Sequence, residues 1–128
     1  MGEKKSSATK HQKWYEVKRD IECKIIRGTY TAGSQIITLE EMKQEYGIGR
    51  TTAQKVIEAL DEEGTIIRKA GVGCFVKPFV REKLLKEQQG KLKSSVVLVV
   101  TQAKDIGLGD AEIIALVTET MDEFENKN

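Results

Sequence analysis

Apolar residues along the chain recur at helical spacing in runs that glycines interrupt. Trp14, Val17, Ile21 and Ile25 fall every three or four positions, which predicts an amphipathic helix over Trp14 to Arg27 that stops at Gly28. Met1 to Lys13, ahead of it, is polar and rich in Lys, Ser and Thr, and reads as a flexible basic tail. Thr29 to Ile37 is a connection. Thr38 followed by Glu41 has the form of a capping box, so a second helix is expected over Leu39 to Tyr46, with Leu39, Met42 and Tyr46 on one face. Gly47-Ile48-Gly49 is a turn. Ala53, Val56, Ile57 and Leu60 then make a single stripe on a third helix over Arg50 to Glu63, ended by Gly64. Thr65 to Lys69 and Cys74 to Lys77 are short strand candidates around the glycine turn Ala70 to Gly73, and Pro78 closes the second of them.

Beyond Phe79 the pattern changes. Leu85, Leu92, Val96 and Val99 have the spacing of a helical seam over Arg81 to Gln102. The run Val96 to Val100 is β-branched apart from Leu98 and fits a strand equally well. Asp105 to Gly109 is a loop, and Asp110 to Glu125 is a helix with Ile113, Ile114, Val117, Met121 and Phe124 on one side. The expected fold is mostly α with a small β-hairpin: three helices and a hairpin over 14–79, then a two-helix tail over 80–128.

Composition narrows the field. Lysines and arginines number 21 and acids 20, so the net charge of +1 gives no general attraction to nucleic acid or anionic membrane. The charge is unevenly spread, however. Residues 1–13 hold four lysines against one glutamate, whereas Asp105 to Glu125 holds seven acids and no base. A basic face at one end therefore coexists with an acidic one at the other. No apolar run approaches the ~20 residues of a membrane span, and no signal peptide is visible, so a cytoplasmic location is expected. Cys23 and Cys74 are isolated and read as buried thiols.

The informative constellation is at the third helix. Two short helices joined by a three-residue, glycine-containing turn form a helix-turn-helix pattern. Arg50, Thr51, Thr52, Gln54 and Lys55 crowd the start of its second helix and point away from the apolar stripe. All can hydrogen-bond phosphates or base edges, and the N-terminal residues of a recognition helix are the ones that enter the major groove. The helix N-terminus adds free N–H groups and partial positive charge. The other end carries Glu58, Asp61, Glu62 and Glu63, which DNA would repel. In the hairpin, Arg68 and Lys69 precede the tip around Gly71, and Lys77 follows, so a wing over 65–77 can lie on the phosphate backbone or in the minor groove.

These residues resemble the winged helix-turn-helix domain of GntR-family bacterial transcription regulators. The resemblance spans about half the chain, through Ile21 to Gly33 (IECKIIRGTYTAG), Gly47 to Gly64 (GIGRTTAQKVIEALDEEG) and Ile66 to Val76 (IIRKAGVGCFV). Its marks are Arg50-Thr51-Thr52, Leu60 to Gly64 and the glycine-rich wing Gly71 to Val76. The short two-helix tail is similar to the YtrA-like subfamily, whose members dimerise through it and lack a large ligand-binding domain. The resemblance implies a homodimeric, sequence-specific repressor on a palindromic operator in double-stranded DNA. It implies contacts from Thr38, Arg50, Thr51, Thr52, Gln54, Lys55, Arg68, Lys69 and Gly71. The dimer interface would be Leu85, Leu92, Val96, Val99, Ile113, Ile114, Val117 and Met121. The chain departs from the family where Ile36-Ile37-Thr38-Leu39-Glu40 replaces the usual Leu-Pro-Ser-Glu-Arg, exchanging a DNA-binding arginine for Glu40. Gly49 stands in place of the usual Ser cap, and Gln54 in place of a frequent arginine. Gln54 retains the capacity to read adenine in bidentate fashion.

Other classes fare less well. One histidine, His11, and no Cys–His pair, paired-carboxylate motif, phosphate loop or metal-ligand spacing argue against an enzyme, a metal or a cofactor. A protein-docking winged helix is the alternative, and Glu40 speaks for it. With 49 residues after Phe79 there is no room for a large sensor. A small-molecule effector, if one exists, would bind at the tail or in a cleft beside the DNA-reading unit. The tail would otherwise pack on its own domain in a monomer.

Overall fold

The computed structural model describes residues 10–127, with five helices and one two-stranded sheet among them. Helix α1 spans Lys10–Ile26, α2 Leu39–Tyr46 and α3 Arg50–Glu62; strands β1 (Ile66–Lys69) and β2 (Gly73–Val76) follow, then α4 (Val80–Asp105) and α5 (Asp110–Lys127). The chain divides between Lys86 and Glu87 into two compact units, so α4 begins in the first and ends in the second. Residues 1–9 of the expected basic tail lie outside the described residues. Lys10 to Lys13, expected to belong to that tail, are instead the first residues of α1, which carries His11.

The first unit is built around the expected stripes. Val17, Ile21 and Ile25 of α1, Met42 of α2, and Ala53, Val56, Ile57 and Leu60 of α3 are all buried in one cluster, with Trp14, Leu39 and Tyr46 packed on its edge. Burying a Val, Ile or Leu side chain is worth about 2 kcal/mol, so the α3 stripe alone anchors that helix firmly. The capping box of α2 forms as the residues demand. Glu41 N–H donates to Thr38 Oγ1 at 3.1 Å, and Thr38 N–H donates to Glu41 Oε1 at 3.0 Å. Gly47 caps α2 in the left-handed region at φ 65°, where a side chain would be strained, and Ile48 plugs the turn into the core.

The hairpin is antiparallel, pairing Ile66 with Val76, Ile67 with Phe75, Arg68 with Cys74 and Lys69 with Gly73. It does not stand alone. Gly33 N–H donates to Val76 O, Val76 N–H to Ser34 O and Ile36 N–H to Cys74 O, each at 2.9 Å. The segment between α1 and α2, expected as a plain connection, thus serves β2 as a third edge. This covering gives the short hairpin the support that two isolated strands lack in water.

The ambiguity over Val96 to Val100 resolves to helix, since α4 runs unbroken through it. Its β-branched residues have no strand partner, and the backbone satisfies its hydrogen bonds locally. Leu84 enters the core, and Leu85, expected at the dimer interface, is half-buried. Lys104 closes the α4–α5 turn with an ion pair to Asp110 at 2.8 Å, and this ammonium holds the Asp110 carboxyl below its usual pKa. Both cysteines are free, but half-buried where full burial was expected. Burial pushes the Cys74 thiol up, against the pull of Arg68.

Two polar clasps on α1 were not legible in the pattern. Lys18, 8% exposed, pairs with Glu22 at 2.9 Å and with Glu63, just beyond α3, at 3.0 Å. Burial works against its charge, but the two carboxylates outweigh it and hold its pKa above the ordinary lysine value. At the other end, the Tyr46 hydroxyl donates to Asp20, and Lys24 reaches both Asp20 and Glu45. Burial first, then Asp20, drives the Tyr46 phenol upward. Lys18→Ala leaves Glu22 buried without its cation and should lower unfolding free energy by about 3 kcal/mol. Glu63→Ala, losing only a half-exposed partner, should lower it by about 1 kcal/mol or less. Urea titration of both variants checks the difference.

Candidate nucleic-acid interface

The packing of α3 decides which of its side chains face outward. With Ala53, Val56, Ile57 and Leu60 inside, Arg50, Thr51, Gln54 and Lys55 are exposed on the opposite side. Thr52 was expected with them but is half-buried at the margin. The N-cap of α3 is Gly49, which supplies no side-chain hydrogen bond, so the first-turn N–H groups lack a side-chain acceptor of their own. Thr38 stands at the start of α2; its hydroxyl oxygen accepts within the capping box, which leaves its O–H as a donor.

Each candidate cation has a partner inside the chain. Arg50 lies 3.9 Å from Glu40, and Glu40 also takes Lys43 at 3.4 Å. The Lys55 ammonium sits 4.9 Å from the centre of the Trp14 ring, and Lys69 sits 4.7 Å over Phe75. Arg68 pairs with Asp61 at 3.7 Å, so the acidic end of α3 is partly neutralised by the wing. The two ion pairs are solvent-exposed, so each adds little to stability.

Gly71 is exposed at the wing tip at φ 75°, and Val72 N–H closes the turn onto Lys69 O at 2.9 Å. What places the tip is Gln35, a residue that no local motif marks. Its Nε2 donates to Val72 O at 3.1 Å, and its backbone bridges Phe75. Gly73 holds φ 143°, a conformation that favours glycine, and a Cβ there would fall 2.3 Å from Gln35 Nε2 and push that side-chain end off Val72 O.

The wing leads through Phe79 into α4. Phe79 takes a left-handed φ of 65° and is 90% exposed. It rims a cleft of about 210 Å³ whose walls include Ile25, Tyr30, Val76 and Val80. Of the residues expected at a dimer interface, Leu92, Val96 and Val99 on α4 and Ile114, Val117 and Met121 on α5 are exposed. Ile113, expected with them, is already buried within its own chain at 8% exposure. Among the described residues no group of His, Cys, Asp and Glu could hold a metal, and no helix is long and apolar enough to cross a membrane.

Three helices with a glycine turn between the last two, followed by a hairpin, define residues 10–76 as a winged helix-turn-helix unit. Residues 15–76 match the family described as "Bacterial regulatory proteins, gntR family"; this part of the chain is a GntR-family helix-turn-helix domain. The chain is 36% identical over 63 residues to an arabinose metabolism transcriptional repressor of Halalkalibacterium halodurans, covering 49% of this chain and 17% of that protein. It is 42% identical over 53 residues to a probable fructoselysine utilization operon transcriptional repressor of Escherichia coli, covering 41% and 22%. The chain therefore matches less than a quarter of the length of either relative. A GntR family transcriptional regulator from Listeria monocytogenes has a similar fold, with a TM-score of 0.70 at 22% identity, over 83% of this chain and 92% of that one. That share exceeds the first unit, so the likeness in fold extends into the helical tail.

Gly73→Ala should destabilise the domain by about 2 kcal/mol, through the collision with Gln35 and the strained backbone. Adding Gln35→Ala should recover part of that loss, because the collision goes and the backbone strain stays. A double-mutant cycle by thermal unfolding measures the recovery; strictly additive losses would show that Gln35 does not pack on Gly73.

Proposed function

We propose that the protein is a sequence-specific DNA-binding transcription regulator, acting as a homodimeric repressor of the YtrA-like kind. The observation that carries this reading is the exposed face Arg50, Thr51, Gln54 and Lys55 at the open N-terminus of α3, above a stripe buried in the core. A rigid helix so presented enters the major groove with its N-terminal residues at the base edges. Arg50 is suited to guanine and Gln54 to adenine, both in bidentate geometry. Thr38, Thr51, Thr52 and Lys55 serve the phosphates, and Arg68, Lys69 and Gly71 bring the wing to the backbone or minor groove. The relatives named as transcriptional repressors support this role through their similarity to the same domain.

The homodimer rests on the tail. Leu92, Val96, Val99, Ile114, Val117 and Met121 are all between 43% and 66% exposed, a larger apolar display than a solitary helical pair sustains in water. A second copy of the same tail would cover it by symmetry and double the DNA contacts. A second reading, a winged helix that docks protein, draws on the Glu40–Arg50 pair, which already occupies the leading cation.

Titration of the DNA upstream of its own gene, in a gel-shift assay over a range of salt, separates the two readings. The regulator should lose affinity steeply with salt, through counterion release, whereas a protein-docking module should show no specific shift. Arg50→Ala should weaken binding by roughly tenfold or more. In sedimentation, Val99→Asp and Ile114→Asp should each convert a dimer into monomers; an unchanged species in both would remove the tail as the interface.

A further inference from the structure

Glu40 is an acid set beside two cations, Lys43 and Arg50. It lies in the first turn of α2, where the helix N-terminus favours a carboxylate. Its Oε2 is 3.4 Å from Lys43 Nζ and 3.9 Å from Arg50 Nη1. Arg50 is in turn the first residue of α3, so one carboxylate spans the two helix starts of the helix-turn-helix. The side chain is 69% exposed and holds no part of the capping box, which Thr38 and Glu41 make without it. A neutral side chain there would cost α2 only the weak, solvent-exposed interactions of a first-turn carboxylate.

Resting on the DNA-binding reading above, we propose that Glu40 is a specificity-determining residue, an internal stand-in for phosphate that holds Arg50 and Lys43 away from non-operator DNA. In the free protein the carboxylate occupies the cations that a phosphate would otherwise take. Non-specific DNA offers only phosphates in exchange, and it brings them against the Glu40 charge. Fewer counterions are released, so indiscriminate binding is weak and its salt dependence shallow. An operator offers more. Arg50 can leave Glu40 for the O6 and N7 of a guanine, and the freed carboxylate can accept from the N4 amino group of a cytosine. The penalty thus falls on every sequence and is offset only where the base edges supply both partners, which is selection by repulsion of the wrong site.

The experiment uses the full chain, the Glu40→Gln and Glu40→Ala variants, and two duplexes of equal length. One is the tightest binder that the parent selects from a randomised library, and the other is its scrambled sequence. Glu40→Gln should bind the scrambled duplex about tenfold more tightly than the parent, with a steeper salt slope. Its affinity for the selected duplex should stay level or fall, so that discrimination drops at least tenfold; Glu40→Ala should do the same. A library selection with Glu40→Gln should lose a preference for cytosine at one position of each half-site. Equal changes on both duplexes, or no change on either, would overturn the proposal while leaving the DNA-binding reading intact. A parent that enriches no sequence and shows no salt-dependent binding would overturn both. Unchanged thermal unfolding of the variants would show that the binding differences arise at the DNA face.

Discussion

The burial of one stripe of α3 against α1 is the constraint on which the first unit depends. Val17, Ile21 and Ile25 supply one wall, and Ala53, Val56, Ile57 and Leu60 the other. Once that contact forms, α3 cannot rotate without bringing Gln54 or Lys55 into an apolar interior. The same contact therefore supplies stability and aims the polar face. The Lys18 clasp to Glu22 and Glu63 tightens the far end of this pairing, and the Asp20–Tyr46 hydrogen bond ties α2 to the same helix.

The wing depends on the same logic at its own scale. A hairpin of two four-residue strands has too little apolar surface to hold itself. It borrows support from the segment before α2, through three backbone hydrogen bonds and the reach of Gln35. Glycine at 73 is the condition of that approach. The near-neutral charge of the chain also has a structural meaning. Arg50 and Arg68 are each matched by an acid within the chain, and Lys55 and Lys69 by an aromatic ring.

Much of this was written in local pattern. The capping box at Thr38, the glycine turn, the stripe Ala53 to Leu60 and the hairpin boundaries follow from spacing and turn chemistry, which act over a few residues. Where local signals conflicted, they left the matter open. Val96 to Val100 has strand-like residues on a helical seam, and no neighbouring strand exists to pair with them. The boundary at Lys10 was missed because polar residues carry no periodic signal. Among the candidate DNA-binding residues, the exposed identities were legible. Their partners were not, since Arg50 meets Glu40, Arg68 meets Asp61 and Lys55 meets Trp14 across separate elements.

By itself, then, the amino-acid sequence determined the order and kind of the elements as far as Phe79 and the chemistry offered by the start of α3. It did so because helix periodicity, caps and glycine turns are short-range effects. Only the tertiary structure decided which charges neutralise one another, that Gln35 seats the wing and that Glu40 stands over Arg50. Those contacts join residues on separate elements, and their geometry exists only once the core has brought the elements together.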